Sequence, residues 1–239
     1  MYTAAMGLLT LGSNLSVNAQ TKVHYSEKRL KADTSKADFD GPYIFYTQTE
    51  AVVKQIVEKN QQATLVSETF KNPIAGKKLT CYVDNKEHFS FKVQELLQNQ
   101  PSVYQMPEKL IAISDIEGRY QEFKQFLIAN KVMDKNYKWT FGKGHLVTVG
   151  DFFDRGLLVN QTLWLIYSLE EQAEKAGGKV HFILGNHDLM NMKNDFRYTR
   201  KKYLENAKLM GVEYYDLYKP NTELGRWLAT KNILEKIGD

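Results

Sequence analysis

The sequence predicts an α/β fold built on a parallel sheet, preceded by a smaller β-rich region. Between residues 109 and 184, short apolar runs alternate with longer amphipathic segments, a pattern typical of strands joined by helical crossovers. The runs are continuously apolar, which indicates strands covered on both faces. Residues 21–102 instead alternate apolar and polar side chains over short stretches, as half-buried strands do.

The composition bounds the class of protein. The 239 residues are 43% hydrophobic and 25% charged, so the chain can bury a core and is not a disordered tail. The net charge of +4 is too small to indicate nucleic acid binding without a clustered basic patch. The single cysteine, Cys81, excludes an internal disulfide framework. No run of eighteen apolar residues occurs, so we expect no membrane span.

Residues 1–20 are typical of a secretory signal. An apolar stretch at residues 4–11 is followed by small and polar residues, and Val17-Asn18-Ala19 is similar to a cleavage site. We therefore expect removal after Ala19 and a periplasmic or secreted protein. No lysine or arginine precedes Lys22, so a disordered tail on a cytoplasmic protein is an equal alternative.

Residues 21–102 are predicted to form a small accessory sheet. Residues 78–84 and 88–93 alternate apolar and polar side chains, and residues 43–46 follow an Asp-Gly-Pro turn signal. Residues 49–60 fit a short helix and a buried strand equally well. No residue in this region indicates chemistry.

A second domain is expected over residues 107–239. Residues 99–107 contain two prolines and no periodicity, which indicates a boundary. Beyond it we expect strands at residues 109–114, 145–149 and 179–184, with helices at 120–133 and 160–176. The second helix should stop at Gly177-Gly178. Parallel strands with right-handed crossovers follow from this order.

A polar, glycine-containing motif follows each apolar run directly. The motifs are Asp115-Ile116-Glu117-Gly118, Gly150-Asp151-Phe152-Phe153-Asp154-Arg155-Gly156 and Gly185-Asn186-His187-Asp188. Their leading polar residues are 36 and 35 positions apart, about one βαβ unit each. All three should lie at the carboxyl edge of one parallel sheet, where ligands bind in open α/β folds.

Four of these residues supply the oxygen ligands that hard divalent cations prefer. Asp115, Glu117 and Asp151 carry carboxylates, and Asn186 carries an amide oxygen. Crowded carboxylates repel one another in a low-dielectric cleft, and cations relieve that repulsion. Two cations at such a site can promote displacement at phosphorus.

The remaining polar residues suit phosphate chemistry. Arg155 offers a bidentate fork for phosphate oxygens. His187 can protonate a departing oxygen, and Asp154 can hold its imidazole in the useful tautomer. Each motif alone is as easily a turn or a helix cap. Three in order, at equal intervals after apolar strands, indicate a site.

The motifs resemble the calcineurin-like metallophosphoesterase signature. The second motif, Gly-Asp-Phe-Phe-Asp-Arg-Gly, resembles that of the phosphoprotein-phosphatase-like branch. Residues 183–192 and 224–228 are similar to sequences of its Shewanella-like bacterial members. The resemblance implies that the parallel sheet is half of an α/β/β/α sandwich. It also implies hydrolysis of phosphate monoesters on a phosphorylated protein or a small molecule.

The resemblance implies a role for each matching residue. Asp151 would bridge two divalent metals, Asp115 would serve the first and Asn186 the second, and a hydroxide between them would attack phosphorus. His187 would be the general acid, paired with Asp154, and Arg155 would grip the phosphate. Mn²⁺ is the expected metal, with Fe, Zn and Mg as alternatives.

The sequence departs from the family at two points. Glu117 stands where the family has a histidine, and is expected to be a ligand or a neighbour of one. No histidine follows His187, although the family has further histidine ligands on a second sheet. We therefore expect a chain truncated at its C-terminus, with a weak second metal site and impaired activity. The alternatives are an inactive phosphate- or partner-binding relative, and a phosphodiesterase or nucleotide hydrolase.

Overall fold

The structure, a computed structural model, describes residues 33–239. The predicted signal segment, residues 1–20, lies outside the described residues, so its cleavage and the location of the protein stay predictions. Among residues 33–239, no helix combines the length and apolarity needed to cross a membrane.

The N-terminal part of the described chain contains two antiparallel units. A three-stranded sheet in the order β1-β2-β3 precedes a hairpin of β4 and β5. Residues 49–60, which fit a helix or a strand, form β2. The bounds are β1 Asp40–Tyr46, β2 Glu50–Lys59, β3 Gln62–Lys71, β4 Lys78–Tyr82 and β5 His88–Lys92.

The parallel βαβαβ unit is confirmed. Its strands lie in the order β7-β8-β9, all parallel. The longer helix stops before Gly177, whose φ of +76° is the left-handed conformation with which glycine ends helices. The bounds are β7 Leu110–Ser114, α1 Tyr120–Ala129, β8 His145–Val149, α2 Val159–Lys175 and β9 Lys179–Ile183.

Short helices complete the described chain. They are α3 Asn186–Met192, α4 Lys201–Leu209, a 3₁₀ helix at Tyr214–Tyr218 and α5 Glu223–Leu228. Strand β6 (Val103–Tyr104) pairs in parallel with β10 (Lys236–Ile237) near the end of the chain.

Burial is uneven across the parallel sheet. Strands β8 and β9 are largely buried, but β7 alternates exposed and half-buried residues. The expectation that every strand is covered on both faces is therefore wrong for β7. Exposed Leu110, Ala112 and Ser114 alternate with half-buried Ile111 and Ile113, so one face of β7 is covered less than the other.

Helix α2 joins the two parts of the chain. Trp164 is fully buried, stacks on Phe91 of β5 with ring centroids 4.2 Å apart, and donates its Nε1–H to the carbonyl of Pro42 at 2.9 Å. On the same helix, Tyr167 packs edge-on against Trp227 of α5. One hydrophobic cluster thus runs through both parts, while their division into two domains stays a prediction.

Glu87, before β5, fastens the hairpin to the parallel unit. Its carboxylate accepts hydrogen bonds from Lys124 Nζ at 2.7 Å, Tyr137 OH at 2.7 Å and Gln121 Nε2 at 2.9 Å. Burial raises the pKa of Glu87, but these hydrogen bonds outweigh it and hold the pKa below its ordinary value. The ionised form is therefore the one that stabilises this contact.

Candidate active site

The three motifs lie side by side where the parallel strands end. The first loop is tied to the second by the Glu117 N–H, which donates to the carbonyl of Asp151 at 2.8 Å. The third is tied to the second by the His187 N–H, which donates to Asp151 Oδ1 at 3.0 Å. Residues more than thirty positions apart are thus brought together at one edge of the sheet, with Asp151 in the middle.

Left-handed backbone is concentrated in these loops. Ten non-glycine residues of the described chain have positive φ, and five of them are predicted site residues. Such conformations cost about 1–3 kcal/mol each and persist where the surroundings enforce them, commonly at functional sites. The five angles are Asp115 +53°, Glu117 +49°, Asp151 +55°, Asp154 +72° and Arg155 +53°.

Two glycines allow the second and third loops to touch. A Cβ on Gly150 would lie 2.7 Å from the Cα of Gly185. A Cβ on Gly185 would lie 2.5 Å from the backbone nitrogen of Asp151 and closer still to its Oδ1. Because these are mainly backbone clashes, a side chain at either position would push the loops apart.

Asp188 clamps the same two loops. Its Oδ2 accepts from the N–H groups of Gly185 at 2.8 Å and Asp151 at 3.0 Å, and its Oδ1 from those of Phe152 at 2.8 Å and Phe153 at 3.2 Å. Burial raises the pKa of Asp188 to about 6, although the backbone hydrogen bonds oppose that rise. The sequence places Asp188 at the end of the third motif, but its residue type alone indicates no role there.

His187 and Asp154 form the predicted pair. His187 Nδ1 lies 2.7 Å from Asp154 Oδ2, and both residues are buried. The other carboxylate oxygen accepts from Thr199 Oγ1 at 2.9 Å and Asn191 Nδ2 at 3.1 Å. The side-chain Oδ1 of Asn191 accepts in turn from Tyr214 OH at 3.0 Å. This network fixes the imidazole, and leaves Nε2 as the ring atom that can exchange a proton with a ligand.

Glu117 and Arg155 form an ion pair that sequence reasoning did not anticipate. Glu117 Oε1 is in ion-pair contact with Arg155 Nη1. The Glu117 side chain is 8% exposed and the Arg155 side chain 55% exposed. Glu117 Oε1 accepts no hydrogen bond from the described residues. The structure thus places Glu117 beside the predicted phosphate contact, and its role as a metal ligand stays a prediction.

Asp115, Asp151 and Asn186 carry the remaining oxygen donors of the predicted metal site. Asp115 and Asn186 are exposed and Asp151 is half-buried, so their oxygens are accessible. Within residues 33–239, however, no three His, Cys, Asp or Glu side chains are grouped to hold a metal ion. Glu117 is engaged by Arg155. The assignment of Asp115, Asp151 and Asn186 as cation ligands therefore stays a prediction.

Comparison with known proteins shows the family of the chain. Residues 108–238 match the calcineurin-like phosphoesterase family model. The chain belongs to this family. The predicted resemblance to Shewanella-like phosphatases is also confirmed in sequence. This calcineurin-like phosphoesterase is 36% identical over 120 residues to Shewanella-like protein phosphatase 2 of Arabidopsis thaliana, and 34% identical over 97 residues to Shewanella-like protein phosphatase 1 of Plasmodium berghei.

A solved relative has the same fold. The cold-active protein-tyrosine phosphatase of a psychrophilic Shewanella species aligns with a TM-score of 0.74 and 33% identity. The alignment covers 84% of this chain and 59% of the relative. The matched segments make up 30% of the Arabidopsis protein and 27% of the Plasmodium protein. The chain thus matches less than a third of the length of these two relatives.

Proposed function

We propose that this calcineurin-like phosphoesterase hydrolyses phosphate monoesters with the help of divalent cations. The observation that carries the proposal is the buried His187–Asp154 pair, 2.7 Å apart. Asp154 shares its loop with Asp151, and the loop of Asp115 lies beside it. A proton donor beside open carboxylates suits cleavage of a phosphoester bond.

Each residue has a task in this proposal. Asp115, Asp151 and Asn186 hold divalent cations, with Mn²⁺ the first candidate and two ions the family expectation. When bound, such cations polarise phosphoryl oxygens and lower the pKa of water. Arg155 orients the phosphate through its guanidinium. His187 Nε2 delivers a proton to the leaving oxygen, while Asp154 holds the ring in place.

The substrate class follows from the relatives. The two curated relatives are named protein phosphatases and the solved one a protein-tyrosine phosphatase. We infer that phosphorylated proteins are the substrates, with small aryl phosphates as surrogates. Peptides that carry phosphotyrosine, phosphoserine or phosphothreonine, assayed in parallel, separate the subclasses.

One observation favours a second candidate, a phosphate-binding protein without turnover. Arg155 is paired with Glu117, and the described residues form no three-ligand group of His, Cys, Asp and Glu. A chain with too few metal ligands to activate water would bind phosphate through its other side chains and would not hydrolyse the ester.

The test is hydrolysis of p-nitrophenyl phosphate with Mn²⁺ and with EDTA. We expect Mn²⁺-dependent turnover, and a fall of about 10²–10⁴-fold in kcat for His187→Gln and for Asp151→Asn. His88→Gln is the matched control, because His88 is exposed on β5, and it should retain full activity. Phosphate binding without turnover would favour the second candidate, and turnover unaffected by Asp151→Asn would refute the site.

A further inference from the structure

The loop that carries Arg155 is held from outside the three motifs. Its three consecutive carbonyl oxygens, at residues 155–157, each accept one side-chain hydrogen bond from the start of α4. The pairs are Arg200 Nη1 with Arg155 O at 2.9 Å, Tyr203 OH with Gly156 O at 3.2 Å and Lys202 Nζ with Leu157 O at 2.7 Å.

The start of α4 is in turn held by Asp33, far away in sequence. Asp33 accepts a bidentate pair of hydrogen bonds from Arg200, from Nε at 2.8 Å and Nη2 at 3.0 Å. It also accepts from the backbone N–H of Lys201 at 2.8 Å. The Arg200 guanidinium holds the pKa of Asp33 well below its usual range, so the pair is ionised at neutral pH.

Arg200 therefore makes a continuous connection from Asp33 to Arg155. Its planar guanidinium donates to the Asp33 carboxylate from Nε and Nη2 and to the Arg155 carbonyl from Nη1. Because the group is rigid, the contact with Asp33 sets the direction of the hydrogen bond to Arg155. Arg155 has a φ of +53° and Asp154 one of +72°. A backbone in this conformation keeps its shape only if neighbouring contacts enforce it.

We propose that Asp33 and Arg200 are positioning residues for phosphate binding by Arg155. Asp33 orients Arg200, and Arg200 fixes the carbonyl of Arg155 and so the stretch of backbone from which the guanidinium of Arg155 extends. The inference rests on the proposed function, because it assigns phosphate to Arg155. The competing explanation is that Asp33 only caps α4 and stabilises the fold.

The experiment compares Asp33→Asn, Arg200→Gln and the double variant with the wild type. Three measurements are made at neutral pH: amide hydrogen exchange of residues 154–157, the affinity for inorganic phosphate by calorimetry with Mn²⁺ present, and the midpoint of urea unfolding. We expect each single variant to accelerate local exchange and to weaken phosphate binding by about ten- to a hundredfold, the range for a hydrogen bond to a charged group. The double variant should be little worse than either single one, because both break the same connection.

Asp195→Asn is the matched control. Asp195 forms an equally bidentate pair with Arg197, at 2.9 and 2.8 Å. In the described part of the chain, that pair makes no hydrogen bond to residues 155–157. The control should leave loop exchange and phosphate affinity unchanged, and an equal effect in the control would overturn the proposal.

Two further outcomes separate this proposal from the proposed function. Phosphate affinity equal in wild type and variants, with only the urea midpoint lowered, overturns the positioning role and leaves the phosphatase function intact. Phosphate binding that depends on Asp33 and Arg200 in a protein without turnover supports the positioning role and contradicts the phosphatase function.

Discussion

Replacing Asp188 by asparagine should destabilise the protein through two specific backbone groups. Both carboxylate oxygens of Asp188 are in use, each accepting two N–H donors at 2.8–3.2 Å. Asparagine keeps one oxygen and presents an NH₂ group in place of the other, so two N–H donors lose their acceptor. Each buried donor left without an acceptor costs about 1–3 kcal/mol. We therefore expect the free energy of unfolding to fall by about 2–6 kcal/mol.

The assay is urea unfolding at pH 8, where a carboxyl with a pKa of about 6 is ionised. Asp134→Asn is the matched control. Asp134 accepts the N–H groups of Asn136 and Lys138 through Oδ1 alone, at 2.8 and 2.9 Å, so asparagine can replace it at a cost within about 0.5 kcal/mol. A loss below about 1 kcal/mol for Asp188→Asn, or one equal to the control, would show that the two carboxylate oxygens do not both satisfy buried N–H groups.

Three further changes test other parts of the site and fold. Asp154→Asn removes the charge that holds the His187 imidazole and should lower kcat for p-nitrophenyl phosphate by about 10²–10⁴-fold; retention of wild-type kcat would contradict the pairing. Gly185→Ala places a methyl group against the Asp151 backbone and should cost about 1–3 kcal/mol in urea unfolding, whereas an unchanged midpoint would show that the loops do not touch. Glu87, with a lowered pKa, contributes stability above its unfolded-state pKa of about 4.3 that is lost as pH falls. Glu87→Gln should therefore flatten the loss of stability between about pH 5 and pH 3, and an unchanged acid profile would contradict this.

The sequence was most informative where a local pattern decides the structure. Continuous apolar runs and helical spacing predicted the βαβαβ order, and Gly177 marked the end of α2. Strand β3 was not predicted, because Gln62–Lys71 is half-buried or exposed along its length and shows no clear alternation. The choice between helix and strand for residues 49–60 was settled by pairing with β1 and β3, which is a long-range effect.

Within the site, residue types predicted the His187–Asp154 contact but not its supports. Asn191 and Thr199 bind Asp154 across 37 and 45 positions of sequence, and no short motif indicates such distant partners. Glu117 was expected near a metal because carboxylates ligate cations. Its ion pair with Arg155 joins two residues 38 positions apart, both in left-handed backbone, and no short motif indicates such a contact.

The proposed function depends on Asp115, Asp151 and Asn186 together holding a divalent cation. Anomalous scattering from a crystal grown with Mn²⁺ tests it directly, because the ion is located without any assay of turnover. We expect a peak bounded by oxygens of these three side chains, at about 2.0–2.6 Å, and its loss in Asp151→Asn. A peak elsewhere, or none at this edge of the sheet at saturating Mn²⁺, would contradict it.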